Sequence, residues 1–257
     1  MHLLILIPAY NEAERIGKML TQYISYFRQK MPEQFEILVV LNGCLDDSQK
    51  IVKQYQTQFK ELHWVEFEKP IGKGGALIEG LKEQHRSDYI GYVDADGATP
   101  PEAFYQLYLV CQKVDAAIGS RWLKGSRVLK LQSKRRRFAS RCFHYIVQLF
   151  FHLNIKDTQC GAKVFKSSAI ATVQNELLVS DMAFDVNLLF ALKRADYTIC
   201  ETPTIWEDQS GSTVHLTRSS LSMFLSLLRL RLIHSPVRHL FPYFAPLERW
   251  IYKRFHC

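Results

Sequence analysis

The stretch YIGYVDADGATPPEAF, residues 89–104, reads as an apolar strand followed by two carboxylates, a glycine turn and a helix opened by prolines. Asp94 and Asp96 are two residues apart, so on an extended backbone both side chains point to the same side. Neighbouring carboxylates repel each other unless a cation or a proton lies between them. Mg²⁺ or Mn²⁺ binds such oxygens and completes its shell with water and phosphate. The stretch therefore predicts a metal–diphosphate site, and two solvated acids at a strand end are the alternative.

Short apolar runs alternate with amphipathic stretches of helical length through the first half of the chain. The runs that predict strands are residues 3–7, 35–41, 62–67, 88–94 and 115–119. The stretches that predict helices are residues 12–30, 46–59, 74–84 and 101–113. This alternation predicts an α/β fold with a mostly parallel central sheet covered by helices. Polar or glycine-bearing residues follow each strand, and ligands bind beyond such strand ends, so we expect one shared crevice.

The second half of the chain is less regular. Residues 139–153 and 182–195 predict helices, and a strand is expected near 197–203. Residues 217–233 are rich in Leu, Met, Phe and Ile with arginines at the ends, which is typical of a helix in a membrane interface. Packing on the protein's own core is the alternative. The aromatic and basic residues of 238–255 favour membrane contact.

The net charge of +8 is concentrated in one segment. Between Arg121 and Lys156 there are ten Lys or Arg residues and no Asp or Glu, and the rest of the chain is close to neutral. A local excess points to an anionic partner, which can be phosphate groups, nucleic acid or an anionic membrane. The basic run lacks interleaved aromatic residues and no nucleic-acid-binding motif occurs, so we expect no nucleic-acid partner.

The six cysteines lie far apart without a C-x-x-C pair, which argues against a structural zinc site and a dense disulfide framework. The first apolar run covers only Leu3 to Ile7 and lacks a basic flank or a cleavage site. It predicts a buried strand rather than a signal peptide. No stretch reaches the ~18–20 apolar residues of a transmembrane helix. We therefore expect a globular protein in the cytoplasm.

Two further motifs have both a structural and a functional interpretation. In IGKGGAL, residues 71–77, Lys73 and the backbone N–H groups of a helix start can face an anion, although no Walker A pattern is present. In IPAYNEAERI, residues 7–16, Asn11 predicts a helix N-cap and Glu12 a favourable charge in the first turn. A plain helix start explains most of both motifs, but not the Pro-Ala-Tyr that precedes Asn11.

Six short motifs occur along the chain: IPAYNE, VVLNGCLDDS, GKGGAL, YVDADGATPPEAF, AIGSRW and DTQCGAKVF. In this order and spacing they resemble the family 2 inverting glycosyltransferases, and more narrowly the dolichyl- and polyprenyl-phosphate mannose and glucose synthases. The resemblance runs from about residue 3 to about residue 213. It implies a single-domain nucleotide-sugar-binding fold of the GT-A type, with a catalytic domain over 1–213. Residues 214–257 then form an amphipathic, basic C-terminal extension at the membrane interface.

The resemblance also implies roles for individual residues. Those that would contact the nucleotide are Pro8, Tyr10, Glu12, Asn42, Lys73 and Asp94. Asp94 and Asp96 would hold Mg²⁺ or Mn²⁺ on the donor diphosphate, with Lys73 beside them. Arg121 would reach a phosphate of the donor or of the acceptor lipid, and Asp157 would lie close to the transferred sugar.

Asn42 departs from the family pattern, in which the second strand commonly ends in Asp-Asp-Gly-Ser. An amide still forms hydrogen bonds to a base or ribose but carries no charge, so the identity of the base stays open. The resemblance implies a donor of the UDP-glucose or GDP-mannose class, and the sequence does not distinguish between these two and another nucleotide sugar. The motifs DADGAT and DTQCG favour the glucose-type synthases slightly.

The implied reaction is attack on C1 of a nucleotide-activated hexose from the face opposite the leaving group. Charge develops on the leaving diphosphate, so the metal ion, Lys73 and Arg121 would stabilise it. A polyprenyl phosphate acceptor is already ionised and needs no strong base, and Asp157 would then orient the acceptor or bind sugar hydroxyls. A hydroxyl acceptor would instead make Asp157 the general base.

The basic segment has a use in this interpretation. Its arginines would bind the acceptor phosphate and an anionic membrane surface: Arg121, Arg135, Arg136, Arg137 and Arg141. We therefore expect a peripheral enzyme on the cytoplasmic membrane face. The alternative is a soluble family 2 enzyme that acts on a saccharide or cell-envelope hydroxyl. A nucleotidyltransferase fits less well, because the glycine-rich loop expected after its first strand is missing.

Overall fold

The computed structural model describes residues 1–130, 134–208 and 216–235, of which 134–136 and 216–220 are described by their backbone alone. The strands within these residues form a seven-stranded sheet and a two-stranded sheet. The strands are β1 (Leu3–Ala9), β2 (Phe35–Asn42), β3 (Leu62–Phe67), β4 (Tyr89–Val93), β5 (Ala116–Ser120), β6 (Arg127–Lys130), β7 (Ala162–Lys166), β8 (Ile199–Pro203) and β9 (Ile205–Glu207). The α-helices are α1 (Ala13–Lys30), α2 (Ser48–Gln56), α3 (Lys73–Leu81), α4 (Pro101–Cys111), α5 (Lys134–Phe151), α6 (Ser167–Val173), α7 (Phe184–Arg194) and α8 (Leu216–Ile233).

The larger sheet has the strand order β3-β2-β1-β4-β7-β5-β8. Neighbouring strands pair in parallel from β3 through β4, and again between β5 and β8. In contrast, β7 runs antiparallel to both β4 and β5. The predicted α/β fold with a mostly parallel sheet is therefore confirmed. The strands and helices predicted for the first half lie close to their predicted bounds.

The antiparallel strand β7 is one of the elements of the second half that the sequence pattern does not predict, together with β6, β9 and α6. Its sequence AKVFK carries Lys163, whose side chain is fully buried. Lysine is almost never fully buried unless its charge is paired. The pairing residue, Asp185, lies 22 positions further along the chain. The local pattern therefore gives no sign that a lysine at this position is compatible with a central strand.

Alternate side chains of β1 pack against opposite faces of the sheet. Leu3 and Ile5 belong to a core shared with α1 and α4, whereas Leu4 and Leu6 belong to a core shared with α3, α6 and α7. The buried residues of α1 recur at the three- and four-residue spacing of a helix face: Ile16, Met19, Leu20, Tyr23, Ile24 and Phe27. Because both faces are covered, the central strands are continuous apolar runs.

A third core joins α5, α7 and α8. Val147 of α5 and Leu227 of α8 have no solvent exposure within it. The hydroxyls of Ser222 and Ser226 on α8 donate to Asp181 Oδ2 over 2.8 and 2.7 Å. One face of α8 therefore packs on the protein's own core, which was the alternative to an interfacial helix over 217–233.

The predicted domain boundary at 213/214 lies outside the described residues, as does the predicted membrane-contact segment 238–255. Among the described helices, none combines the length and apolarity that crossing a membrane requires. The division into a catalytic domain and an extension stays a prediction.

The carboxyl ends of β1, β2 and β4 lie at one edge of the sheet. Ala9 at the end of β1 is paired with Leu41 near the end of β2. Since β7 runs in the opposite direction, its beginning rather than its end lies at this edge. The backbone N–H of Asp94 donates to Gly161 O over 3.1 Å and joins the two elements. The residues that precede β7 therefore lie at the same edge of the sheet as the residues that follow β1, β2 and β4.

Candidate active site

A cavity of about 730 Å³ opens at this edge of the sheet. The predicted site residues that line it are Pro8, Tyr10, Glu12, Asn42, Lys73, Asp94, Asp96 and Arg121. Asp157 is paired with Arg121 but is not part of the lining. Arg137 and Arg141 are exposed on α5 and also lie outside the lining, and the side chains of Arg135 and Arg136 lie outside the described residues.

Asp94 is held tightly at the end of β4. Lys73 Nζ lies 2.5 Å from Asp94 Oδ1. A Cβ atom on Gly161 would stand 2.0 Å from Asp94 Oδ2, so a larger residue does not fit there. Burial lowers the pKa of Lys73, but the charges of Asp94 and Asp185 outweigh burial and raise it above its ordinary value. Lys73 therefore remains a cation on the cavity wall.

Asp96 lies in a turn and not on an extended strand. Its Oδ1 accepts a hydrogen bond from the Ala98 N–H over 2.9 Å. Burial, and then the charge of Asp94, raise the pKa of Asp96 above its ordinary value. This turn brings the two carboxylates into the same cavity. The prediction that they lie on the same side of an extended strand is therefore wrong, although both do face the cavity. A bound cation would stabilise the ionised form of a carboxylate whose negative charge is disfavoured in this way.

The carboxylates fit a divalent ion in combination with a phosphate ligand. The described residues contain no cluster of three or more His, Cys, Asp or Glu that could hold a metal. Mg²⁺ is commonly bound by one or two carboxylates together with substrate phosphates and water. Because Lys73 engages Asp94 Oδ1, Asp96 is the better placed protein ligand.

The glycines around Lys73 pack against another segment of the chain. Gly72 has a φ of +81°, and a Cβ atom there would stand 2.3 Å from Ser180 O. A Cβ atom on Gly74 would stand 2.6 Å from Val179 O. The Gly75 N–H donates to Ser180 O over 2.9 Å. These glycines therefore allow close backbone packing, and in this loop it is the side chain of Lys73 that faces the cavity.

The prediction of Asn11 as a helix N-cap is wrong. Glu12 occupies the cap position, and Asn11 instead has a φ of +54° and accepts a hydrogen bond from the Leu45 N–H over 2.8 Å. The first amides of α1 are satisfied from the loop after β2, since the Ala13 N–H donates to Asp46 Oδ2 over 3.0 Å. Contacts between loops thus replace the local cap.

Glu12 and Asn42 line the cavity with different partners. Glu12 forms an ion pair with Arg15 over 2.7 Å. Burial raises the pKa of Glu12, the charge of Arg15 lowers it, and the nearby charges of Asp96 and Asp94 add to the rise. Asn42 Oδ1 accepts a hydrogen bond from the Ile71 N–H over 2.7 Å. Asn42 therefore fixes the loop that leads to Lys73.

Arg121 and Asp157 form a two-pronged ion pair. Arg121 Nε donates to Asp157 Oδ2 over 2.7 Å and Nη2 donates to Oδ1 over 2.8 Å, and the Arg121 backbone N–H adds a third bond of 2.9 Å. Burial raises the pKa of Asp157, but the charge and hydrogen bonds of Arg121 outweigh it and lower the pKa. Asp157 is 1% exposed. Both of its oxygens accept hydrogen bonds from Arg121, which lines the cavity.

Sequence reasoning missed a buried network behind the cavity. Asp185 lines the cavity, and its Oδ1 accepts hydrogen bonds from Lys163 Nζ and, over 2.5 Å, from the Tyr92 hydroxyl. Lys163 Nζ also donates to Cys160 O over 2.7 Å. Gln159, just before β7, lines the cavity as well. The one signal in the sequence was a lysine inside the otherwise apolar run AKVF.

The opposite wall of the cavity is apolar and comes from helices α5 and α8. Its apolar members are Phe138, Phe143, Ile146, Met223 and Phe224. On the same helix α5, Arg141 Cζ lies 4.3 Å from the ring centroid of Trp122. The cavity is therefore polar at the strand ends and apolar along the two helices.

The chain is similar in sequence to known proteins. The family model described as Glycosyl transferase family 2 matches residues 4–173. The dolichyl-phosphate beta-glucosyltransferase of Saccharomyces cerevisiae is 32% identical over 249 residues, which cover 90% of this chain and 74% of that protein. Glycosyltransferase AglD of Haloferax volcanii is 29% identical over 228 residues, which cover 88% of this chain but only 36% of that protein.

A similar fold occurs among solved structures. The glucosyl-3-phosphoglycerate synthase of Mycobacterium tuberculosis, in complex with Mn²⁺, UDP-glucose and phosphoglyceric acid, superposes with a TM-score of 0.66 at 15% sequence identity. The match covers 91% of this chain and 81% of that chain. At this identity the likeness supports the fold alone, which is the GT-A-like arrangement expected from the sequence.

Proposed function

The chain belongs to glycosyl transferase family 2, and we propose that it transfers glucose from a nucleotide-diphosphate donor to a polyprenyl phosphate of the dolichyl type. The names of its relatives support this donor sugar and this acceptor. Within this proposal the donor is UDP-glucose, one of the donor classes expected from the sequence.

The observation that carries the proposal is the two-sided character of the cavity. One side offers Lys73, Asp96 and Arg121 to phosphate groups, and the other offers an apolar wall from α5 and α8. A polyprenyl phosphate has the same two parts, an anionic head and an apolar chain. A free saccharide acceptor would leave the apolar wall without a complementary surface.

We assign stabilisation of the leaving diphosphate to the cations of the cavity wall. Lys73 is held protonated by Asp94, and Arg121 is held in position by Asp157. Nη1 of Arg121 has no hydrogen-bond partner within the described part of the chain, so it remains able to bind a phosphate oxygen. Mg²⁺ or Mn²⁺, bound by Asp96 with Asp94 beside it, would add charge stabilisation at the diphosphate. Preorganised cations of this kind act on the charge that develops as the bond breaks.

The acceptor phosphate attacks C1 of glucose from the face opposite the diphosphate. The new bond joins a phosphate oxygen to C1, the bond from C1 to the diphosphate oxygen breaks, and the nucleoside diphosphate leaves. The acceptor oxygen is already ionised near neutral pH, so no general base is required. This agrees with Asp157, whose pKa is lowered by the charge and hydrogen bonds of Arg121, which makes the carboxylate a weak base. We therefore propose a positioning role for Asp157.

We further propose peripheral attachment to an anionic membrane through α5 and the basic residues around it. Arg137 and Arg141 are exposed there together with Phe138, Tyr145 and Leu149. Each basic residue near an anionic surface contributes about 1 kcal/mol to attachment. We propose that residues 214–257, which are amphipathic and basic in sequence, contribute to the same attachment.

The proposal is tested by transfer of label from a panel of radiolabelled nucleotide sugars to polyprenyl phosphate in the presence of Mg²⁺ or Mn²⁺. We expect label from UDP-glucose to enter the organic phase, and to be lost with EDTA. Transfer to saccharide acceptors in place of the lipid would support the soluble alternative instead. Binding of no nucleotide sugar at all would contradict the proposal.

A further inference from the structure

Gln159 carries a buried polar atom without a partner on the cavity wall. Within the described residues, five buried side-chain atoms lack a hydrogen-bond partner: His2 Nδ1, Ser120 Oγ, His144 Nδ1, Gln159 Nε2 and Thr202 Oγ1. Of these five residues, Gln159 is the one that lines the cavity. Buried polar groups are almost always hydrogen-bonded, and each exception requires an explanation. A bound ligand would provide the missing partner of Gln159.

Asp185 offers an unused acceptor in the same cavity. The residue is 3% exposed, and its Oδ1 already accepts hydrogen bonds from Tyr92 and Lys163. Its Oδ2 has no hydrogen-bond partner in the described part of the chain. Two donors on one oxygen fix the orientation of the carboxylate, and the second oxygen is left for a ligand in the cavity.

One side chain connects these two groups. Lys163 Nζ donates to Cys160 O, the residue after Gln159, and also to Asp185 Oδ1. The N–H of Asp94 donates to Gly161 O two residues after Gln159. The amide donor and the carboxylate acceptor are therefore held on rigid supports next to the predicted diphosphate site. Such support from neighbouring hydrogen bonds is what a selective binding site requires.

We propose that Gln159 and Asp185 bind hydroxyl groups of the transferred hexose and thereby select the donor sugar. A hydroxyl can accept from the amide of Gln159 and donate to the carboxylate of Asp185. A site built to hydrogen-bond a hydroxyl discriminates strongly against a sugar that cannot supply it, because its buried groups are then left unpaired. The inference rests on the proposed function, since a nucleotide sugar has to occupy the cavity.

The test compares binding of UDP and of UDP-glucose by calorimetry in the presence of Mn²⁺, with the Gln159→Leu variant. Leucine has a similar volume and removes an N–H that has no partner in the protein, so the melting temperature should stay constant or rise. The affinity for UDP should change less than about twofold. The affinity for UDP-glucose should fall about fivefold to tenfold, as expected for one lost hydrogen bond.

Two further variants make the test specific. Thr202→Val also removes a buried unpartnered atom, but away from the cavity, and should leave both affinities unchanged. Asp185→Asn leaves the buried charge of Lys163 without its carboxylate, so its melting temperature should fall. In the folded variant, UDP-glucose binding should weaken more than UDP binding, since a charged acceptor for the hexose is lost. Transfer from UDP-galactose relative to UDP-glucose should increase in the Gln159 and Asp185 variants.

Three results are distinguishable. If Gln159→Leu weakens UDP and UDP-glucose equally, or lowers the melting temperature, the residue has a structural role and the inference is wrong. If it leaves UDP-glucose binding and the preference between the two sugars unchanged, the hexose lies elsewhere, although the proposed function stands. If the unmodified protein binds neither nucleotide, the proposed function is overturned and the inference with it.

Discussion

The sheet side and the helix side of the cavity are stabilised in different ways. On the sheet side the charged groups are fixed by buried or partly buried ion pairs: Lys73–Asp94, Arg121–Asp157 and Lys163–Asp185. On the helix side, α5 leaves Phe138, Tyr145 and Leu149 more than two-thirds exposed, at 73%, 68% and 70%. Arg137 is exposed beside them.

This difference separates two tasks within one cavity. Groups in fixed pairs keep their position and charge while a reaction proceeds, which is what electrostatic catalysis requires. Exposed apolar residues next to basic ones gain free energy when a partner surface covers them. The sheet side therefore suits the chemistry on the donor, and the helix side suits delivery of a lipid acceptor.

The largest effect should come from removing Asp96, the carboxylate on the sheet side whose negative charge is disfavoured by burial and by Asp94. We expect Asp96→Ala to reduce glucose transfer on the order of a thousandfold, because a bound metal supplies several kcal/mol at the diphosphate. The melting temperature of the metal-free variant should stay equal or rise, since Asp96 is raised in pKa by burial and by Asp94. Glu33→Ala removes an acid that is 80% exposed and serves as the matched control. Loss of folding in Asp96→Ala would argue for a structural role.

The second prediction concerns the ion pair between Arg121 and Asp157 on the sheet side. We expect Asp157→Ala to lower the free energy of unfolding by about 3–5 kcal/mol, because a buried charge then lacks compensation. Denaturation in urea measures this loss. Asp157→Asn keeps an acceptor for the guanidinium and should reduce transfer by less than the roughly hundredfold that a missing general base would cost. A larger loss in a folded Asn variant would restore the general-base assignment.

The pH dependence of stability should also distinguish the two kinds of carboxylate. Asp96 has a raised pKa in the folded protein, so its contribution to stability is fully present below its ordinary value of 3.8 and is lost as the pH rises through the raised value. Asp157 has a lowered pKa, so its contribution is present above 3.8 and is lost as the pH falls. The difference in unfolding free energy between the unmodified protein and Asp96→Asn should therefore change above pH 3.8. A difference that is constant with pH would contradict the raised pKa.

The two sides also differ in what could be read from the sequence. The strand ends with Asp94, Asp96 and Lys73 were predictable, because buried parallel strands are continuous apolar runs and each is followed by polar residues. The predicted helix over 139–153 is confirmed but begins earlier, at Lys134. The basic residues at its start carry no apolar periodicity, so the pattern could not show that they are helical.

Gln159 and Asp185 were not predictable as site residues. Gln159 reaches the cavity because β7 runs antiparallel, and strand direction follows from packing rather than from local sequence. Asp185 lies in the first turn of α7, where an acid is favoured by the helix dipole without any ligand. Its role depends on Lys163, a residue that local pattern would place at the surface.

The smallest effect should come from a single change on the helix side. We expect Leu149→Ser to weaken attachment to vesicles of anionic phospholipid about tenfold, because an exposed leucine that enters the lipid interface contributes roughly 1.5 kcal/mol. Flotation of the protein with such vesicles measures the loss. Glucose transfer to a short, water-soluble polyprenyl phosphate should stay unchanged, since Leu149 does not line the cavity.

Leu45→Ser provides the matched control for this change. Leu45 is 88% exposed, but it lies in the loop after β2 and not on α5. If both variants lose vesicle binding equally, attachment depends on general surface hydrophobicity, and the division between the two sides fails. If only Leu149→Ser loses it, α5 is the surface that meets the membrane. The lipid phosphate would then reach Arg121 along the apolar wall that α5 and α8 provide.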